Sequence, residues 1–136
     1  MWTNTRPMMR RALCALLLLG CLVPWAVAIA KREVPETVMV TYHVRLGREA
    51  ALARVLARHW ATARRLNLVR GAPHIIVQGA GSGDPYFVEI FTWRDGSIPD
   101  SAPAEIKGLW SEMGRLVEPR NGRPGIDFQQ VSLLSP

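Results

Sequence analysis

The chain has 136 residues, 49% of them hydrophobic and 21% charged, with two cysteines and a formal net charge of +6. A chain this short has room for one domain. Both cysteines, Cys14 and Cys21, lie near the N-terminus, so the rest of the chain has neither a disulfide nor a thiol to rely on.

The first thirty residues read as a secretory signal. Arg6, Arg10 and Arg11 precede an uncharged apolar run from Ala12 to Ala30. The triplets Ala26–Ala28 and Ala28–Ala30 each offer a small-x-small cleavage site directly before Lys31. Cleavage after Ala30 leaves 106 residues and takes away three of the 17 basic residues and none of the acidic ones, so the net charge falls to +3. The basic balance of the full chain therefore gives no reason to expect a nucleic-acid partner. Three alternatives stand beside cleavage. The run approaches the roughly 20 residues that span a bilayer and could stay as an anchor. "LLGC" at Leu18–Cys21 loosely resembles a lipoprotein box, although the residues after it stay apolar. Arg10–Arg11 resembles a twin-arginine pair without that motif's usual polar and aromatic context.

Residues 31–36 are polar, contain Pro35 and read as a short tether to a domain spanning 37–136. "TVMVTYHVRL" (Thr37–Leu46) is β-branched and aromatic, hence a strand, and Gly47 ends it. From Arg48 the period becomes helical. Leu52, Val55, Leu56, His59, Ala63 and Leu66 form one apolar stripe with Arg54, Arg58 and Arg65 opposite, closing near Asn67. "HIIVQ" (His74–Gln78) is the second strand and "YFVEIFTWR" (Tyr86–Arg94) the third, joined by "GAGSGDP". A strand follows that glycine-rich segment, so it reads as a hairpin turn; a phosphate loop would need a helix N-terminus there.

After the loop Asp95–Pro103, with Ser101 as the expected N-cap, Ile106, Leu109, Trp110, Met113, Leu116 and Val117 mark a second amphipathic helix that Pro119 stops. "IDFQQVSLL" (Ile126–Leu134) is the last strand. The order is βαββαβ, a ferredoxin-like α+β fold: a four-stranded antiparallel sheet with both helices on one face. In the third strand Val88 and Ile90 point one way, while Phe87, Phe91 and Trp93 point the other. A sheet apolar on both faces, with helices for only one, needs a cover for the second, and a homodimer is expected.

These segments resemble the dimeric α/β-barrel superfamily, in particular antibiotic biosynthesis monooxygenase-like domains, over about Thr37–Leu134. "VTYHVRLGREAALARVLARHW", "YFVEIFTWRD" and "LWSEMGRLVE" carry the resemblance. It implies sheets packed face to face in a dimer and a pocket between each sheet and its helices. Members include cofactor-independent oxygenases of phenols or quinols, haem-degrading enzymes, and proteins without known activity. The haem-degrading pattern fits poorly: it needs a histidine on the second helix and an asparagine on the first strand, and only Trp93 has a counterpart.

His59, in the middle of the helical stripe, is the first candidate catalytic residue. Its expected partner is Glu89, which would fix the tautomer and leave one nitrogen as a base. The plainer reading is a structural His–Glu pair. His43 joins the pocket if its strand face meets the helices and lies at the partner interface if it does not. His74 is expected to be exposed. Trp60, Phe91, Trp93 and Trp110 are the expected pocket residues, although aromatics at such spacing also build cores. Tyr42 and Tyr86 have nothing in their context to single them out. No HxH or HExxH spacing appears, so no metal or cofactor is expected. No GxSxG elbow, cysteine nucleophile or paired carboxylates support a hydrolase. The expectation is an exported, homodimeric protein, periplasmic or secreted, that binds a small apolar or aromatic molecule; the alternative is a cofactor-independent monooxygenase.

Overall fold

The computed structural model describes residues 33–81 and 83–134. The expected signal, with its cleavage site and anchor alternative, lies outside the described residues. Six main elements follow in order: β1 (Glu36–His43), α1 (Glu49–Arg65), β2 (Val69–Gly81), β3 (Asp84–Trp93), α2 (Ala104–Leu116) and β4 (Ile126–Gln130), with a 3₁₀ turn at Pro99–Ser101. The sheet has the order β2-β3-β1-β4 with every neighbour antiparallel. This is the expected ferredoxin-like α+β architecture.

Local chemistry explains the element ends. Gly47, at φ +79°, turns the chain out of β1, and Asn67, at φ +57°, closes α1. Glu49 in the first turn of α1 and Arg64 and Arg65 in its last complement the helix dipole. α2 begins two residues later than a Ser101 N-cap would start it. Ser101 falls in the 3₁₀ turn, and Pro103, with no N–H to satisfy, occupies the N-cap. Glu36 belongs to β1 rather than to a tether, and β4 stops at Gln130, short of the expected Leu134.

β2 is the largest departure. It runs thirteen residues rather than five, because Gly71 and Pro73, read as breakers, are absorbed by an irregularity between Val69 and His74. The hairpin is correspondingly tight. Its strands run to Gly81 and Asp84, and Gly83 takes φ +87° in the turn.

The core is one layer. Val38, Val40, Tyr42 and Val44 of the β1 strip, Phe87, Phe91 and Trp93 of β3, Leu52, Val55, Leu56 and Ala63 of α1, and Ile106, Leu109 and Met113 of α2 are all buried together. The ring of His59 on α1 meets Phe91 and Trp93 edge-on at 6.1 and 6.2 Å between centroids, and Trp93 meets Trp110 of α2 at 6.3 Å. Both helices therefore lie on the Phe91–Trp93 face. The opposite face has no covering element among the described residues. Ile75 is 46% exposed and Val77 51%, beside half-buried Val88, Ile90, Met39 and Thr41.

Candidate functional site

α1 sits over the β2 side of the sheet, where Trp60 stacks on His74. Residues of β1, β3, β4, α1 and α2 surround a gap beside it. A cavity of about 370 Å³ fills this gap, within the range of about 300–1,000 Å³ usual for small-molecule sites. Phe91, Trp93, Trp110 and Met113 form its aromatic and thioether wall. Val38, Val40 and Tyr42 form its floor, and Ile126 and Phe128 lie toward the β4 side. Phe128 is 72% exposed, a large apolar side chain left open to solvent beside an apolar cavity.

His59 also lines the cavity. It is 2% exposed, and its partner is not Glu89. The Trp110 indole donates its Nε1–H to His59 Nε2 at 3.1 Å. An indole can only donate, so Nε2 carries the lone pair and the proton of the neutral imidazole sits on Nδ1. Nδ1 is buried without a hydrogen-bond partner. Burial, and secondarily the charge of His74, lowers the His59 pKa to about 4. The residue is thus a neutral ring whose basic nitrogen is already engaged. As a proton-abstracting base it would first have to break the Trp110 contact.

Glu89 belongs to a second cluster. Fully buried on β3, it accepts the Tyr42 Oη–H at 2.9 Å on one oxygen and meets His74 Nε2 at 3.0 Å on the other. Burial raises its pKa, and the hydrogen bonds from His74 and Tyr42 restrain the rise. Tyr42 is pushed well above its ordinary value by burial and by the neighbouring Glu89 charge. His74, expected at the surface, is instead clamped. Trp60 stacks on it at 3.7 Å and 7°, and Arg64 lies 5.9 Å over the Trp60 ring. Trp60 therefore holds His74 and does not line the cavity.

His43 is not in the pocket. Val38, Val40 and Tyr42 are the buried residues of β1, so Met39, Thr41 and His43 point to the uncovered face, with His43 paired across from Tyr86 of β3. Its Nε2 is buried without a hydrogen-bond partner. Of the seven residues expected at the site, the structure brings His59, Phe91, Trp93 and Trp110 together around the cavity. It moves Glu89 and Trp60 to the adjoining cluster and His43 to the other face. Tyr42 and His74 escaped the sequence reading. Counting back from the Gly81–Asp84 pair places His74 opposite Phe91 and diagonal to Glu89, which is the signal that finds it. Among the described residues no three His, Cys, Asp or Glu side chains are grouped to hold a metal ion, and no helix is long and apolar enough to cross a membrane.

No family model matches the chain, and no curated protein matches it. Solved structures do. SnoaB from Streptomyces nogalater, described as a cofactor-independent oxygenase, is similar at 17% identity over 75% of this chain and 95% of its own, with a TM-score of 0.54. Rv0793 from Mycobacterium tuberculosis is similar at 15% identity over 76% and 98%, with a TM-score of 0.56. PA3566 from Pseudomonas aeruginosa is similar at 18% identity over 77% and 99%, with a TM-score of 0.55. At these identities the likeness concerns the fold, a ferredoxin-like α+β fold that this chain shares.

Proposed function

We propose that the protein binds a small, flat aromatic or apolar molecule in the cavity between its sheet and α2. The observation that carries this reading is the wall itself. Phe91, Trp93 and Trp110 present ring surfaces, and Met113 an adaptable thioether, around about 370 Å³. Of the polar residues lining it, His59 Nε2 and the Tyr42 hydroxyl are already hydrogen-bonded and Glu36 supplies a carboxylate, so shape and apolar area carry the binding of a neutral molecule. The reading includes a homodimer joined through the uncovered sheet faces, where two copies of the Ile75–Val77–Val88–Ile90 surface would cover each other, and export after loss of the first thirty residues.

Native mass spectrometry of the purified protein, followed by titration with 1-naphthol, tests the binding. A retained aromatic molecule, or saturable one-to-one binding of 1-naphthol, is the expected result. An empty protein that ignores 1-naphthol overturns the reading.

The second reading is cofactor-independent oxygenation of a phenol or quinol, supported by the fold likeness to SnoaB. In it a protein group would deprotonate the substrate and the carbanion would react with O₂. His59 is poorly prepared for that step, with its Nε2 engaged and its pKa near 4. Oxygen uptake by the protein with a dihydroxynaphthalene, above the uncatalysed rate, is the result that favours this reading.

A further inference from the structure

We infer that the cavity takes a cation: an aromatic ring carrying a protonated amine, the ring against Phe91, Trp93 and Trp110 and the ammonium on the Glu36 carboxylate. The inference rests on the ligand-binding reading above and gives its ligand a charge.

Glu36 opens β1 on the same strand face as Val38, Val40 and Tyr42, and it lines the cavity with them. Its partner across the ladder is Trp93, so the two side chains leave the sheet about 4.5–5.5 Å apart on one face. The carboxylate lies against the backbone of the loop after β3, where a Cβ on Gly96 would stand 2.9 Å from Glu36 Oε2. Glu36 is half-buried in this position. Among the described residues no basic side chain pairs with it, and the ion pairs of the fold lie at Arg58, Arg65, His74, Arg120 and Arg123.

The rest of the lining carries no charge. Its other members are apolar apart from Tyr42 and His59. The Tyr42 hydroxyl donates to Glu89, and burial together with the Glu89 charge holds it as a neutral phenol. Burial first, and the charge of His74 second, lower the His59 pKa to about 4, which keeps that ring neutral as well. The cavity therefore presents one negative charge beside three aromatic side chains, with no positive group among the described residues that line it.

That combination discriminates between ligands. A neutral molecule filling the space strips water from the Glu36 carboxylate and offers it no ion in exchange. A carboxylic acid brings a second negative charge into the same small volume. An ammonium replaces the lost water with charge-assisted N–H···O bonds, and beside Trp93 it is also attracted to the face of an indole. The plainer role for Glu36, a solvated carboxylate at the start of a strand, leaves the cavity indifferent to the charge of what it holds. The two roles separate in one experiment.

Three probes share a ring system and differ in charge at neutral pH: 1-naphthylmethylamine is a cation, 1-naphthalenemethanol is neutral and 1-naphthoate is an anion. Titration calorimetry on the intact protein at low salt reads the three affinities. The amine is expected to bind about tenfold or more tighter than the alcohol, with the naphthoate weakest. Glu36→Gln keeps the size of the side chain and breaks no ion pair. In it the amine should fall to the level of the alcohol, while the alcohol itself stays within about twofold of its wild-type affinity. Equal binding of amine and alcohol by the wild type overturns the cationic ligand and leaves the binding reading in place. A preference for the amine that survives in Glu36→Gln overturns the assignment to Glu36, as does a variant that loses amine and alcohol alike. If the wild type binds none of the three, the binding reading itself fails and this inference with it.

Discussion

The indole of Trp110 donates its N–H to Nε2 of His59, 3.1 Å away, across the space between α2 and α1. One contact thereby fixes the tautomer of a buried imidazole and ties the two helices together. It also makes His59 a source of pH dependence. Its folded pKa is about 4, against an ordinary value of 6.5. Above pH 6.5 neither the folded nor the unfolded chain binds a proton there. As pH falls below 6.5, the unfolded chain takes up a proton that the folded protein refuses. Stability is therefore expected to fall from about pH 6.5 toward pH 4, by about 3 kcal/mol in all. Urea melts across that window check this. In His59→Leu the acid-side slope attributable to this group should vanish, even though the orphaned indole N–H costs about 1–3 kcal/mol at every pH.

Glu89 works in the opposite sense. Its folded pKa is raised by burial, so the folded protein holds a proton that the unfolded chain has already lost, and stability declines as pH rises through that interval. Glu89→Gln removes this dependence and keeps an acceptor for the Tyr42 hydroxyl. It should cost less than about 1 kcal/mol near neutrality and gain on the wild type at higher pH. Glu89→Ala strands both Tyr42 and His74 and leaves a void, and should cost about 3 kcal/mol or more. Thermal or urea denaturation of the two variants at several pH values separates these outcomes.

The uncovered sheet face yields a third expectation. Val77 is 51% exposed on β2, so Val77→Asp leaves the protomer's core untouched. In a dimer joined through these faces the same change buries two unpaired carboxylates, one per copy, and should weaken association by roughly 100-fold or more. Sedimentation equilibrium of the wild type and the variant checks this. A wild type that is monomeric at micromolar concentration removes the dimer from the account.

The order of elements and the face assignment of β3 were legible because their signals are periodic. The stripe Leu52–Val55–Leu56–His59–Ala63 repeats at helical spacing, and Phe87–Glu89–Phe91–Trp93 alternates cleanly. β1 offered no such contrast. Val38, Val40 and Tyr42 on one side and Met39, Thr41 and His43 on the other are both apolar enough to be buried, so the side on which His43 falls had to come from the structure. The length of β2 was hidden by Gly71 and Pro73, whose local preferences yield to sheet pairing on either side of the irregularity. The pairing of Glu89 depended on the same strand. His59 and Glu89 share the interior, as read, but the nearest imidazole to the carboxyl comes across the ladder from His74, and register is a long-range property that the Tyr86–Arg94 segment alone does not contain.

The cavity itself is tested most directly by the indole N–H signals of ¹H–¹⁵N spectra during a titration with 1-naphthol. Trp93 and Trp110 wall the cavity, while Trp60 is stacked on His74 outside it. Saturable shifts of the Trp93 and Trp110 signals, with Trp60 nearly silent, are the expected outcome. Shifts confined to Trp60, or none at saturating 1-naphthol, contradict a ligand site between the sheet and α2.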